Sequence, residues 1–131
     1  MGERVLVDTD ILIDYCREKI DLLPGNIYYI STITLYEYMR GTKKPKKAKK
    51  LLEESFIVIP LNNQILLKSA EIWRNLKQKG ALVDDRDLTI GATAIALNLK
   101  LYTKNIKHFK RLTEHGLQLF KPQSLENTKP L

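Results

Sequence analysis

The sequence predicts an α/β fold: a mainly parallel sheet of four to five strands with helices on both of its faces. Three observations lead there. Short apolar, β-branched runs alternate with longer amphipathic segments along the chain. Each run has the length of one buried strand, and buried parallel strands read as continuous apolar stretches. The 131 residues contain no repeat and no second unit, so a single domain over residues 1–131 is expected. Right-handed crossovers then fix the general architecture.

The elements follow in order. "RVLVD" at residues 4–8 is the first strand. "TDILIDYCREK" reads as a helix, with Thr9 or Asp10 as its N-cap. "LLPGN" is a turn punctuated by Pro24 and Gly25. "IYYIS" is the second strand, and "TITLYEYMRG" a helix closed by Gly41. "TKKPKKAKKLLEESF" opens with Lys43, Lys44, Lys46, Lys47, Lys49 and Lys50, then becomes an amphipathic helix turning Leu51, Leu52 and Phe56 inward. "FIVIP" is the third strand, stopped by Pro60. "NQILLKSAEIWRNLKQKG" is the clearest helix: Ile65, Ser69, Ile72 and Leu76 recur at helical spacing, with Leu66 and Trp73 widening the stripe. "ALVDDRDLTIGATAIALNL" is a helix that opens with acids, "KLYT" the fourth strand, "NIKHFKRL" a short helix and "LQLF" a last short strand. The polar tail after Pro122 is expected to fray.

Composition narrows the function. The apolar fraction of 44% is that of an ordinary globular protein. A single cysteine, Cys16, excludes an intrachain disulfide framework and fits a reducing compartment; it is expected as a small buried side chain on its helix. The N-terminus enters a charged, strand-like stretch without the pattern of a signal peptide, and no apolar run approaches a membrane span. A cytoplasmic protein without membrane contact is expected. The net charge of +7 suits an anionic partner such as nucleic acid, although a lysine-rich surface can also serve solubility alone.

The sharpest feature is acid beside apolar sequence: Asp8, Asp10 and Asp14 lie among Val5, Leu6, Val7, Ile11, Leu12 and Ile13. A carboxylate is costly to bury unless something pairs with it. In a parallel sheet ligands bind beyond the C-terminal strand ends. Asp8 ends the first strand. Ser31 and Thr32 end the second, with Glu37 on the helix that follows. Asp84, Asp85 and Asp87 open the penultimate long helix, and Thr103 and Asn105 follow the fourth strand. The topology would bring several carboxylates to one edge. Crowded carboxylates repel, and a hard divalent cation, Mg²⁺ or Mn²⁺, relieves this while activating water for attack on a phosphate.

Each acid also has a purely structural reading. Asp8 can cap the next helix, Glu37 can pair with Arg40, Asp84, Asp85 and Asp87 suit a helix N-terminus, and Asn105 suits a cap or turn. The functional reading rests on their shared sheet edge. Asp10 fits a cap or a partner behind Asp8, and Asp14 a solvated helix face. His108 and His115 are too far apart for a one-turn zinc pair and have no cysteine partners. No Ser-His-Asp arrangement is supported by the spacing, and there is no glycine-rich phosphate loop.

With these residues in place, the sequence resembles the PIN-domain ribonucleases, and within them the VapC toxins of prokaryotic toxin–antitoxin pairs. The match runs from "VLVDTDILIDY" through Ser31 to Gly41 and on through "DDRDLTIGATAIALNLKLYTKNIKHFKRL". The resemblance implies a PIN-like three-layer α/β/α fold and Mg²⁺- or Mn²⁺-dependent endoribonuclease activity. It implies Asp8 and Asp87 as metal ligands, Glu37 on the second helix holding metal through water or orienting the attacking water, and Asn105 positioning a metal-bound water or the phosphate. Thr9, Asp85 and Thr103 are supporting residues. It also implies an RNA substrate, a small antitoxin protein as inhibitor and a homodimer. The sequence departs from the family pattern at Asn105, where an acid is common, and at His108, which stands where many members carry an acid before Phe109. The lysine cluster would flank the cleft, either guiding RNA or forming a solvated face. Tyr36 can stack on a base or belong to the core or an interface.

Two other functions compete. "VLVDTD" superficially matches the opening of haloacid-dehalogenase-type phosphatases, with Asp8 as nucleophile and Asp10 as acid/base, but the chain is short for that fold and Leu12 stands where Thr or Val is expected. A catalytically weak RNA-binding module is the other alternative, kept open by the uncharged Asn105.

Overall fold

The computed structural model describes residues 2–122; the tail at 123–131, where fraying is expected, lies outside the described residues. Five strands form one sheet, all parallel: β1 (Arg4–Val7), β2 (Ile27–Ser31), β3 (Ile57–Ile59), β4 (Lys100–Tyr102) and β5 (Gln118–Leu119), in the order β3-β2-β1-β4-β5. The connections are α1 (Thr9–Cys16), α2 (Thr32–Arg40), α3 (Pro45–Ser55), α4 (Asn63–Gln78), α5 (Asp85–Leu97) and α6 (Ile106–Phe109), which runs into a 3₁₀ segment, Lys110–His115.

The pleat of β1 separates two cores. Val5 and Val7 pack with Ile30, Leu12, Leu35 and Leu52 beneath α1, α2 and α3. Leu6 points the other way, toward Leu101, Ile65, Ile72 and Phe109 beneath α4, α5 and α6. All three residues are fully buried, so the strand reads as an unbroken apolar run. From β1 the chain winds outward to β2 and β3, then returns through α4 and α5 to β4 on the other side of β1. The β1/β4 boundary is therefore the switch point where successive connections leave on opposite faces. The Asp8 amide donates to the Tyr102 carbonyl at 2.9 Å, holding the two strand ends together just below this cleft.

Helix starts are set by local polar caps. Ser31 Oγ accepts from the Thr34 amide at 3.1 Å, Asn62 Oδ1 from Ile65 at 2.9 Å, and Asp84 Oδ1 from Asp87 at 2.8 Å. Pro45 starts α3, where its missing N–H costs nothing. No helix among the described residues is long and apolar enough to cross a membrane.

Several expectations need correction. The cap of α1 is Asp8 rather than Thr9 or Asp10: Asp8 keeps extended backbone angles while Thr9 is already helical. The acidic helix begins at Asp85 and not at Ala81, because residues 81–84 lead into the Asp84 cap. Cys16, the last residue of α1, is exposed and not buried. Of the expected inward residues of α3, Leu52 and Phe56 are buried but Leu51 is exposed. On α4 the buried set is Ile65, Ser69, Ile72 and Leu76; Leu66 is exposed, and Trp73 lies at the surface with Lys77 Nζ 5.0 Å from its ring. The helix packs mainly on α5, so its buried stripe is narrow. Tyr36 does not enter the core: it is exposed, beneath the Arg40 guanidinium at 5.3 Å.

Candidate active site

Three carboxylates converge above the switch point. Asp8 and Asp87 are only 1% and 5% exposed, and a carboxylate is costly to bury without a partner. Asp8 comes from the end of β1, Glu37 from the second half of α2, and Asp87 from the first turn of α5. The fold thus joins positions that lie far apart in the chain.

The residue that binds them is Arg86, which sequence reasoning passed over. Its Nη2 donates to Asp8 Oδ1 at 2.8 Å and to Glu37 Oε1 at 2.9 Å; its Nε donates to Glu37 Oε2 at 2.7 Å, and its Nη1 to Asp87 Oδ1 at 2.8 Å. One guanidinium therefore touches all three acids, the planar fork for which arginine is suited. Burial alone would lower the Arg86 pKa, but Glu37 and Asp8 outweigh it and hold it above the ordinary arginine range. Burial likewise pushes Glu37 upward, and the hydrogen bonds from Arg86 and Thr9 more than reverse this, so its carboxyl lies below the usual glutamate range. The one signal in the sequence was a single base inside the acidic run "DDRD".

Neighbouring side chains orient the acids. Thr9 Oγ1 donates to Glu37 Oε1 at 2.5 Å and lies 3.1 Å from Thr34 Oγ1. Thr103 Oγ1 donates to Asp8 Oδ2 at 2.8 Å. His108 Nδ1 lies 3.3 Å from Asp87 Oδ2, so the position that departs from the family pattern still reaches the acid cluster. Asp10 stands behind Asp8, accepting from the Lys104 amide at 3.0 Å and the Ile11 amide at 2.7 Å. Burial first, and then the Asp8 charge, raise its carboxyl above the usual aspartate range.

Three other residues stand apart from the cluster. The Asn105 amide donates to Thr103 Oγ1 at 3.0 Å, but its exposed side chain makes no hydrogen bond to the acids among the described residues. Asp85 is exposed on the outer side of α5, and among the described contacts only its carbonyl is used, by Thr89. Asp14, expected on a solvated face, is half-buried and pairs with Lys104.

The family model of the PIN domain matches residues 5–114, a span that contains every residue of this cluster. The chain belongs to the PIN-domain family. Within it, the chain is 41% identical over 120 residues to Ribonuclease VapC1 of Methanocaldococcus jannaschii, covering 89% of this chain and 87% of that protein. Solved structures agree. The VapBC-1 structure from nontypeable Haemophilus influenzae superposes with a TM-score of 0.75 at 30% identity, covering 90% of this chain and 97% of that one. VapBC2 from Rickettsia felis, bound to a DNA fragment from its promoter, superposes with a TM-score of 0.75 at 28% identity, covering 92% and 99%. The three-layer α/β/α architecture expected from the sequence is thus the PIN fold, and the relatives are VapC ribonucleases.

The donor set suits a hard divalent cation. All three converging acids offer carboxylate oxygen, the ligand type Mg²⁺ and Mn²⁺ prefer, and they already surround one positive charge. Among the described residues no three acidic, histidine or cysteine side chains are drawn together closely enough to hold an ion as they stand, and the Arg86 guanidinium lies between the three acids.

Proposed function

We propose that this PIN-domain protein is a Mg²⁺- or Mn²⁺-dependent endoribonuclease, the toxin of a toxin–antitoxin pair. The single observation that carries the reading is the convergence of buried Asp8 and Asp87 with Glu37 on one cation at the sheet's switch point. Structural carboxylates can be placed one by one at caps; three meeting at one point serve a ligand.

Asp8 and Asp87 are the residues that would hold the metal, with Glu37 holding it through water or orienting the attacking water. When bound, the metal supplies charge neutralisation at the phosphate and a more acidic water. Thr103 and Thr9 keep the Asp8 and Glu37 carboxylates aimed into the cleft through their hydrogen bonds. Asn105, exposed just before α6, would position a metal-bound water or the substrate phosphate. The lysines before and within α3 are exposed and attract the RNA backbone over a long range. On this reading the chain works in the cytoplasm as a homodimer and is held inactive by a small antitoxin; the VapBC structures among its neighbours support the antitoxin.

Asp8→Asn and Asp87→Asn, folded by circular dichroism, should each lose at least about a hundredfold of single-stranded RNA cleavage in Mg²⁺. Cleavage at the wild-type rate by either folded variant contradicts the assignment. The phosphatase alternative makes its own demand, turnover of a phosphomonoester through a trapped aspartyl-phosphate on Asp8.

A further inference from the structure

Four of the six carboxylate oxygens of the three acids are already held by one guanidinium. Asp8 Oδ1, Asp87 Oδ1 and both Glu37 oxygens accept from Arg86. The second oxygens face elsewhere: Asp8 Oδ2 is held by Thr103, and Asp87 Oδ2 faces His108. A divalent cation that draws on these same acids must therefore take oxygens that Arg86 now holds.

Arg86 is built to leave. It sits in the first turn of α5, and about a third of its side chain is exposed (29%), so the guanidinium can rotate into solvent without disturbing either core. The neighbouring Asp87 stays in place, because its amide is tied to the Asp84 cap and its side chain is buried. The acids carry three formal negative charges and Arg86 returns one positive charge; a dication in its place leaves the cluster less negative still.

We propose that Arg86 is an internal competitor of the metal: its guanidinium and the divalent cation occupy the same seat, and the cation enters only as Arg86 swings out. This rests on the metal-site reading above. Arg86 is a positioning residue here, holding the acids together when no ion does so, and it lowers the apparent metal affinity by the stability of the ion pairs that must first break. A residue that merely supported the fold would have the opposite effect, since its removal would loosen the site and weaken binding.

The test is Mn²⁺ titration of the full chain without RNA, by calorimetry and by the electron paramagnetic resonance of free Mn²⁺, in wild type, Arg86→Ala and Arg40→Ala. Arg40 lies 3.9 Å from Glu37 but touches neither aspartate, so its variant controls for loss of a nearby positive charge. Arg86→Ala should bind Mn²⁺ about tenfold or more tightly than wild type, while Arg40→Ala stays within about threefold. Its thermal midpoint should fall without metal and rise more than that of wild type on adding Mn²⁺. If Arg86→Ala unfolds without metal, recovery of the folded state at saturating Mn²⁺ supports the exchange, and failure to recover overturns it. Unchanged or weaker binding by Arg86→Ala overturns the inference while leaving the metal site standing, as does equal tightening by Arg40→Ala. Absence of Mn²⁺ binding in both wild type and Arg86→Ala removes the metal site and the inference together.

Discussion

Thr103 Oγ1 donates a 2.8 Å hydrogen bond to Asp8 Oδ2, joining the residue after β4 to the residue after β1 across the sheet's switch point. Both partners are buried. The threonine thereby fixes the one carboxylate oxygen that does not face Arg86 and sets the direction in which the other points.

Thr103→Val keeps the shape and removes the donor, leaving a buried carboxylate oxygen unpartnered. It should cost about 1–3 kcal/mol of folding stability in urea denaturation, whereas Thr103→Ser should restore most of that loss. A Thr103→Val protein as stable as wild type would show that Asp8 does not depend on this bond.

The helix that carries Arg86 and Asp87 is seated by a close approach at Gly91. A methyl group there would come within 2.3 Å of Leu112 Cδ1 and 3.7 Å of Phe109 Cδ1, and both of those side chains are fully buried with no solvent to move into. Gly91→Ala should therefore destabilise by about 1–3 kcal/mol. Leu112→Ala makes room at the same point, so the double variant should lose less than the sum of the two single losses in a double-mutant cycle. Strict additivity would mean that the two residues do not meet.

Asp14 contributes a pH-dependent increment. Its ion pair with Lys104 holds the carboxyl below the usual aspartate range. A lowered folded-state pKa stabilises above the ordinary value of 3.8 and is lost as pH falls through the folded value. The stability gap between wild type and Asp14→Asn should be present at neutral pH, shrink below that value and diminish in high salt. Urea unfolding across that range checks it; a gap that grows on acidification would reverse the sign.

The lysines at 43–50 make a separate, graded prediction. All six are exposed, and Lys49 is paired with Glu53 at 2.7 Å. Neutralising Lys46, Lys47 and Lys50 together should weaken RNA binding at low salt and flatten its salt dependence by roughly 0.7 per lost phosphate contact on single strands. An unchanged salt slope, measured by fluorescence anisotropy with a non-cleaving Asp8→Asn background, would assign the cluster to solubility alone.

Much of this was legible because the fold turns chain order into spatial order. Asp8 follows β1 and Glu37 lies on the helix after β2, and an all-parallel sheet delivers such positions to one edge; Asp87 opens α5, the helix that leads back into β4, so it starts over the same edge. The α4 stripe of Ile65, Ser69, Ile72 and Leu76 was readable from spacing, but its width was not: Leu66 and Trp73 are left out because neighbours are few, and neighbours are a tertiary property. Arg86 was hidden for a similar reason. On an isolated helix it is one more exposed base, and only the arrival of Asp8 and Glu37 from distant segments gives its guanidinium a place to go. Asp14 was misread as solvated because its partner, Lys104, lies ninety residues away in the chain.

The central claim, metal-dependent cleavage of RNA at the Asp8–Glu37–Asp87 cluster, is tested most directly by metal depletion and return. Protein stripped with EDTA should leave a single-stranded RNA intact, and adding Mg²⁺ or Mn²⁺ should restore cleavage in wild type but not in Asp8→Asn. Cleavage that persists in EDTA, or that Mg²⁺ restores equally in Asp8→Asn, would contradict the account.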